Sequence, residues 1–241
     1  MSASTPQIGE PVADTETPPT PDNITLSGRY VSVSPLSADK HGTQLFSANR
    51  RDEQNLIWTY MPYGPFDTLE SYIAWLRSVE GLRDPVYFAL TRRDTGEACG
   101  VASYLRIKPR DRSIEVGHIN FSPLLQNTVA ATEAMFLMMQ WAFDNGYRRY
   151  EWKCDALNLR SRRAAQRLGL SYEGIFRQAT VYKGRNRDTA WFAAIDKEWL
   201  RLKGCFQTYL DPDNFDSDGV QKVSLSALTG KILFKRDPTL S

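Results

Sequence analysis

Histidine is nearly absent from this 241-residue chain, with only His41 and His118 present, so a catalytic cysteine would have almost no partner to activate it. Cysteine is scarce as well. Cys99, Cys154 and Cys205 are odd in number, widely spaced and never in a CxxC pair, so they read as small apolar fillers in a reducing compartment. His118 alternates with Val116 and Asn120 along a strand and reads as a packed or solvent-facing residue, with catalysis the alternative. No run approaches the roughly 20 apolar residues that span a bilayer, and the opening MSASTPQIGE lacks the basic and apolar regions of a signal peptide. A soluble cytoplasmic protein without a membrane partner is expected. Lys and Arg are missing from the first 26 residues, which hold Glu10, Asp14, Glu16 and Asp22 together with Pro6, Pro11, Pro18, Pro19 and Pro21. With so few large apolar side chains this stretch cannot offset its ordering entropy, so residues 1–26 are expected to be a disordered tail.

What is present suffices for one core: 41% hydrophobic residues and 12% aromatics, enough for a domain with short appendages. Alternation reads as strands over 29–33, 86–91, 98–107, 113–121, 150–155, 172–182 and 188–196. Asp94-Thr95-Gly96 marks one hairpin, Lys183 to Asn186 another, and Gly117 a bulge. Helices are expected over 37–49, from Asp67 through Leu76, along Thr132, Met135, Phe136, Met139 and Phe143, and over 160–168. The methionine stripe in the third of these is core packing. A run of hairpins before one strand-helix-strand crossover gives an α/β (α+β) domain of mixed, mostly antiparallel sheet with flanking helices, over 27–200. Residues 201–241 read as a C-terminal extension. In it, Asn214, Asp216, Asp218 and Gly219 fit the first calcium-loop positions but Leu225 stands where the closing Glu belongs, so an acidic turn and no metal site are expected.

Chemistry concentrates between Ile114 and Leu170. The strand ending in INFSP meets the loop-and-helix stretch QNTVAATEAMFLMMQWAF, and a helix N-terminus offers free N–H groups and a positive dipole end to a phosphate at Gln126 to Ala131. Arg148, Arg149, Lys153, Arg160, Arg162, Arg163 and Arg167 crowd nearby. Beside a phosphate loop they suit a small phosphorylated cofactor rather than nucleic acid. Two patterns, Gln-x-x-x-x-Ala-Thr-Glu-Ala from Gln126 and Asn-x-x-Ser-x7-Gly from Asn158, make the chain resemble the GNAT superfamily of acyl-CoA-dependent N-acetyltransferases. Its Rim-type branch, which acetylates ribosomal N-termini and small amines, is the closest likeness.

The resemblance implies a sheet splayed between its fourth and fifth strands and acetyl-CoA as the cofactor. The pantetheine arm would lie along Ile119, Asn120 and Phe121, and the pyrophosphate on the amides of Gln126, Asn127, Thr128, Val129, Ala130 and Ala131. Val129 stands where the family pattern has its first glycine, and its Cβ restricts phosphate approach. The Phe121 N–H is placed to polarise the acetyl carbonyl. Asn158 either touches the cofactor or caps the next helix. Glu115 matches an acidic strand residue of the family and is the candidate base, the alternative being a pair with Arg106 or Lys108. Many members carry a tyrosine where this chain has Ala165, so Ser161 and then Tyr182 are the candidates for protonating the leaving thiolate.

For the acceptor, the loop holding Trp58, Tyr60, Tyr63 and Phe66 suggests an aromatic wall, with Asp155, Glu173 and Asp188 as possible ammonium partners. The expected function is acetyl transfer from acetyl-CoA to a primary amine, a small molecule before a protein N-terminus, in a chain that could form a homodimer. The alternatives are a protein N-terminal acetyltransferase and a non-catalytic acyl-CoA-binding module.

Overall fold

The alternation read along residues 86–108 is a hairpin of two long strands, β3 (Val86–Arg92) and β4 (Ala98–Lys108), in a computed structural model that describes residues 7–12 and 16–240. Phe88 and Leu90 of β3 enter the main core, while Tyr87 and Ala89 between them enter a second core on the opposite face. The sheet is therefore covered on both sides, as period-two alternation of apolar residues on both faces requires.

Along the chain, β1 (Leu26–Ser27), β2 (Val31–Pro35), α1 (Ala38–Asn49) and α2 (Leu69–Val79) come before that hairpin. After it come β5 (Ser113–Phe121), α3 (Val129–Asp144), β6 (Arg149–Asp155), α4 (Leu159–Arg167), β7 (Ser171–Tyr182), β8 (Arg185–Ile195), α5 (Asp196–Leu210) and α6 (Leu225–Thr229). The eight strands form one sheet in the order β1-β2-β3-β4-β5-β6-β8-β7. Only β5 and β6 pair in parallel, across the α3 crossover. This is the expected mixed, mostly antiparallel sheet, with the fourth and fifth expected strands being β5 and β6.

Helix ends follow local chemistry. Ser37 caps α1 as expected. For α2 the cap is Thr68, not Asp67: the Thr68 hydroxyl accepts from Ser71 N–H while the Ser71 hydroxyl closes a capping box. Helix α3 is apolar almost all round, and Thr132, Met135, Phe136, Met139 and Phe143 are buried as core. The last hairpin turns in two residues, Lys183 and Gly184, both at positive φ, which matches strand twist better than the four-residue turn expected.

Two boundaries differ from the sequence reading. Of the expected tail, residues 1–6 and 13–15 lie outside the described residues. Over 16–26 the chain lies against the domain: Pro18 and Pro21 are buried, and the Pro19 carbonyl accepts from the Tyr147 hydroxyl at 3.0 Å. Proline rings bring apolar surface with little backbone entropy to lose. Glu133 of α3 then fixes the turn into β2, accepting from the N–H groups of Arg29, Tyr30 and Val31 at 2.6–2.9 Å. At the other end, the boundary at residue 200 falls inside α5, and Leu202, Phe206, Tyr209, Leu225 and Ile232 join the main core. Asn214 turns inward and bonds the backbone of Tyr209 and Val223. Asp237 then clamps α4 through Arg162, both side chains being buried. Residues 201–240 are thus an integral part of the domain.

Candidate active site

A bulge in β5 builds the cleft. Opposite Val101 to Ser103 of β4, β5 carries one extra residue between Gly117 and Asn120, and His118 there has φ 48°. Pairing of β5 with β6 covers only Ser113–Val116 and then stops, because the bulge increases local twist and bends the strand away. Past Gly117 the two strands diverge. Ser122 N–H donates to the Cys99 carbonyl, so by antiparallel alternation the neighbouring Phe121 presents its N–H and C=O to the open side. The Phe121 carbonyl there is capped by Gln126 Nε2 at 2.7 Å, which leaves the Phe121 N–H facing the gap.

Helix α3 begins at the far end of the splay. Asn127 sits at φ 58°, and the Thr128 hydroxyl donates to the Leu125 carbonyl at 2.7 Å while accepting from Ala131 N–H at 3.1 Å. The N–H groups of Thr128, Val129 and Ala130 have no acceptor among the described residues. Val129 is partly buried and packs against the main core. Asn120 is buried with its Nδ2 unpartnered. Three free amides at a helix start, a free strand N–H and an orphaned buried amide fit the diphosphate and amide-rich arm of coenzyme A.

A cleft of about 510 Å³ occupies the splay. Glu115 to Ile119 of β5, Trp152 to Asp155 of β6, and Asn158 and Ser161 at the start of α4 form its floor. Tyr60 to Pro62, part of β7 and Arg187, Thr189 and Trp191 of β8 form its walls. Two contacts close the rim: Lys183 Nζ donates to the Trp58 carbonyl at 2.9 Å, and the Tyr60 hydroxyl donates to the Leu157 carbonyl at 3.2 Å.

Of the expected site residues, Glu115, Ile119, Asn158, Ser161, Tyr182, Tyr60 and Asp155 line this cleft. Trp58 and Tyr63 do not: both belong to an aromatic cluster with Phe66 and Tyr72 in the second core. Large apolar rings gain more from burial than from lining a polar cleft. Glu173 is paired to Arg149 outside the cleft, and Asp188 bonds Gln178 N–H and Asn186 on the hairpin. Ala165 is fully buried, so the position carrying a tyrosine in many family members serves packing here.

Glu115 is almost fully buried and doubly paired, with Arg106 Nη1 at 2.8 Å and Lys153 Nζ at 2.8 Å. Of the alternative pairings, the one with Arg106 is present, and Lys153 is a partner not foreseen from the sequence. Lys153 also meets Glu151 at 2.7 Å and lies 3.7 Å from the Trp191 ring centroid. Burial raises the Glu151 carboxyl, but hydrogen bonds from Arg149 and Lys153 outweigh it and hold the group low. Much of the basic cluster is therefore neutralised internally: Arg148 by Asp196, Arg149 by Glu151 and Glu173, Lys153 by Glu115 and Glu151, Arg162 by Asp237.

Two hydroxyls face the cleft. The Tyr182 hydroxyl donates to Asp155 Oδ2 at 2.8 Å, and burial together with that carboxylate pushes it up to about 12. Ser161 Oγ accepts from the Trp152 indole at 2.9 Å, and Asn158 Oδ1 caps α4 through Ser161 N–H at 3.1 Å. His118 stacks on Tyr63, and burial, then Arg106 and Arg187, push it down to about 4. It is neutral at physiological pH. The sequence reading also passed over Arg187 and Trp191, although Arg187, Thr189 and Trp191 alternate along β8 in the pattern of a strand lining a cavity.

The family model described as an acetyltransferase (GNAT) domain matches residues 34–171. Among solved structures, the chain is similar to a GCN5-related N-acetyltransferase from Brucella melitensis, with 45% identity and TM-score 0.87 over 89% of this chain and 98% of that one. It is also similar to a probable GNAT-family acetyltransferase from Chromobacterium violaceum, with 38% identity and TM-score 0.75 over 83% of this chain and all of that one. The microcin C7 self-immunity acetyltransferase MccE, solved with acetyl-CoA and AMP, shares the fold at 17% identity and TM-score 0.61, over 70% of this chain and 93% of that one. A search of curated proteins found no match.

Proposed function

This chain belongs to the GNAT acetyltransferase family, and on that premise we propose that it moves the acetyl group of acetyl-CoA to a primary amine on a small molecule. The observation that carries the reading is the splay itself. Where β5 leaves β6, Gly117 to Ile119 line the bounded cleft, and the free Phe121 N–H and the three unpartnered amides of Thr128 to Ala130 follow along the chain. A volume of about 510 Å³, with the rim held shut by Lys183 and Tyr60, suits a small molecule better than an extended peptide.

In this reading Gln126 to Ala131 hold the pyrophosphate, while Ile119, Asn120 and Phe121 hold the pantetheine arm with Asn158 beside it. Acetyl-CoA supplies an acyl carbon activated as a thioester. The Phe121 N–H is positioned to stabilise negative charge on the acyl oxygen, an effect worth about 2.7–4 kcal/mol for comparable donors. Tyr182 stays protonated far above neutral pH and is held at Asp155, so it is assigned the proton for the leaving sulfur, with Ser161 beside it. Arg106 and Lys153 are matched by Glu115 and Glu151, whereas Arg187 has no ion pair among the described residues and disfavours an ammonium beside it, which helps the acceptor to bind in its neutral, attacking form. Glu115 first neutralises Lys153. It accepts a proton, through water, only when one of its cation contacts opens. No rate requires a metal or the buried imidazole in this scheme.

Hydrogen exchange tests the assignment. Coenzyme A should slow exchange of the amides at Phe121 and Thr128 to Ala130 and leave the β7–β8 turn unchanged. Protection confined to other segments would overturn the cofactor placement.

A further inference from the structure

The cleft has hydrogen-bond donors without acceptors. Arg187 Nε and Trp191 Nε1 are both buried and have no partner, and both line the cleft from the same face of β8, four residues apart. Arg187 makes no ion pair among the described residues, whereas the other cleft charges are matched. Arg106 and Lys153 share Glu115, and Asp155 accepts from the Tyr182 hydroxyl and from Leu157 N–H. The indole is held firmly, stacked on Phe176 at 4.4 Å with the Lys153 ammonium over its ring. The Arg187 guanidinium lies over the Tyr182 ring, 5.8 Å from its centroid.

A buried donor left without an acceptor is destabilising, and the Arg187 side chain, half-buried as a whole, is open to a ligand in the cleft. Two such donors on one wall, one of them cationic, call for a ligand that brings acceptor oxygens and negative charge. We propose that the acceptor amine carries an anionic oxyacid group, a carboxylate or a phosphate, which docks on Arg187 and the Trp191 indole while the amine faces the splay. The proposal rests on the reading of this cleft as an amine-acetylating site. It separates acceptors by a simple rule: amino acids and phosphorylated amines are preferred over polyamines, which bring no anionic group to Arg187.

The test is calorimetry on the full chain loaded with coenzyme A, comparing L-tyrosine with tyramine and O-phosphoethanolamine with ethanolamine. At least one anionic member should bind about ten- to a hundredfold more tightly than its partner, the range expected for a charge-assisted pair. The preferred pair tells carboxylate from phosphate. Arg187→Met should abolish the difference, Arg187→Lys should keep part of it, and affinity for coenzyme A should stay within about twofold, small against a tenfold step. Equal, weaker or absent binding of both anionic members overturns the proposal, as does a preference that survives Arg187→Met. A variant that loses coenzyme A affinity instead assigns Arg187 to the cofactor phosphates and also overturns it. Charge-selective binding without acetylation keeps the anion site and overturns the transfer reading on which the substrate role rests.

Discussion

Asp237→Asn should be among the most destabilising single changes in this protein, although it lies far along the chain from any motif. Both carboxylate oxygens accept from Arg162, Nε and Nη2 each at 2.7 Å, and the two side chains are 4% and 0% exposed. Asp237 Oδ1 also accepts from Thr239 N–H and hydroxyl, and Arg162 Nη1 reaches the Ala156 carbonyl at 2.7 Å. Asparagine turns an N–H₂ toward a guanidinium that has only donors and leaves its charge buried without a counterion. Removing one partner of such a pair costs about 3–5 kcal/mol, a large share of the roughly 5–15 kcal/mol that holds a domain together. Urea unfolding followed by circular dichroism should show a lower midpoint at unchanged slope. Because Arg162 sits at the start of α4, just after Asn158 and Ser161, coenzyme A affinity should fall too. The pH dependence has a definite sign. Burial raises the Asp237 carboxyl, but the Arg162 and Thr239 hydrogen bonds outweigh it and hold the group below 3.8. The unfolded chain therefore binds the proton first, and the stabilisation is complete well above that value and lost as pH falls below it. Asp237→Asn should flatten this acid loss. A change under about 1 kcal/mol, the size of an exposed ion pair, would refute the reasoning.

Tyr182→Phe should lower kcat by about 10²-fold, the scale of a positioned acid, with the KM for acetyl-CoA little changed; and because the hydroxyl is pushed up to about 12, wild-type kcat should show no alkaline loss from this group below pH about 10, its ordinary value. Glu115→Gln should both slow turnover and lower the melting temperature, since it strips Lys153 of one of its two carboxylates; an unchanged melting temperature would show that the pair contributes nothing to stability. Removing residues 1–24 should destabilise the chain by at least about 1 kcal/mol, because it orphans the Tyr147 hydroxyl, and denaturant titration would show this as a shifted midpoint.

The sheet was readable because apolar alternation is a local property: Ser113–Phe121 was bounded correctly to the residue, although its bulge falls at His118 and Ile119, just past the expected Gly117. The helix-start amides were readable for the same reason, since a cap such as Thr128 acts on its own next turn. Partners far apart in sequence were not. Nothing near Arg162 announces Asp237, and nothing near Glu115 announces Lys153 on the parallel neighbour β6, although the opposing Arg106 of the β4–β5 hairpin was within local reach. The aromatic loop misled because Trp58 and Tyr63 have the composition of a binding wall and the size of core residues, and burial wins for rings of that area. The proline-rich segment misled because its composition signals disorder while Pro18 and Pro21 find a surface that no local pattern reveals.

The most direct measurement is stoichiometric: purified protein, acetyl-CoA and a panel of primary amines, with free thiol and N-acetylated product quantified in the same reaction. The account predicts one thiol released per acetylated amine, with saturation in both substrates and loss of both signals together in Tyr182→Phe. Thiol release without acetylated amine, or no release with any amine although coenzyme A binds, would contradict it.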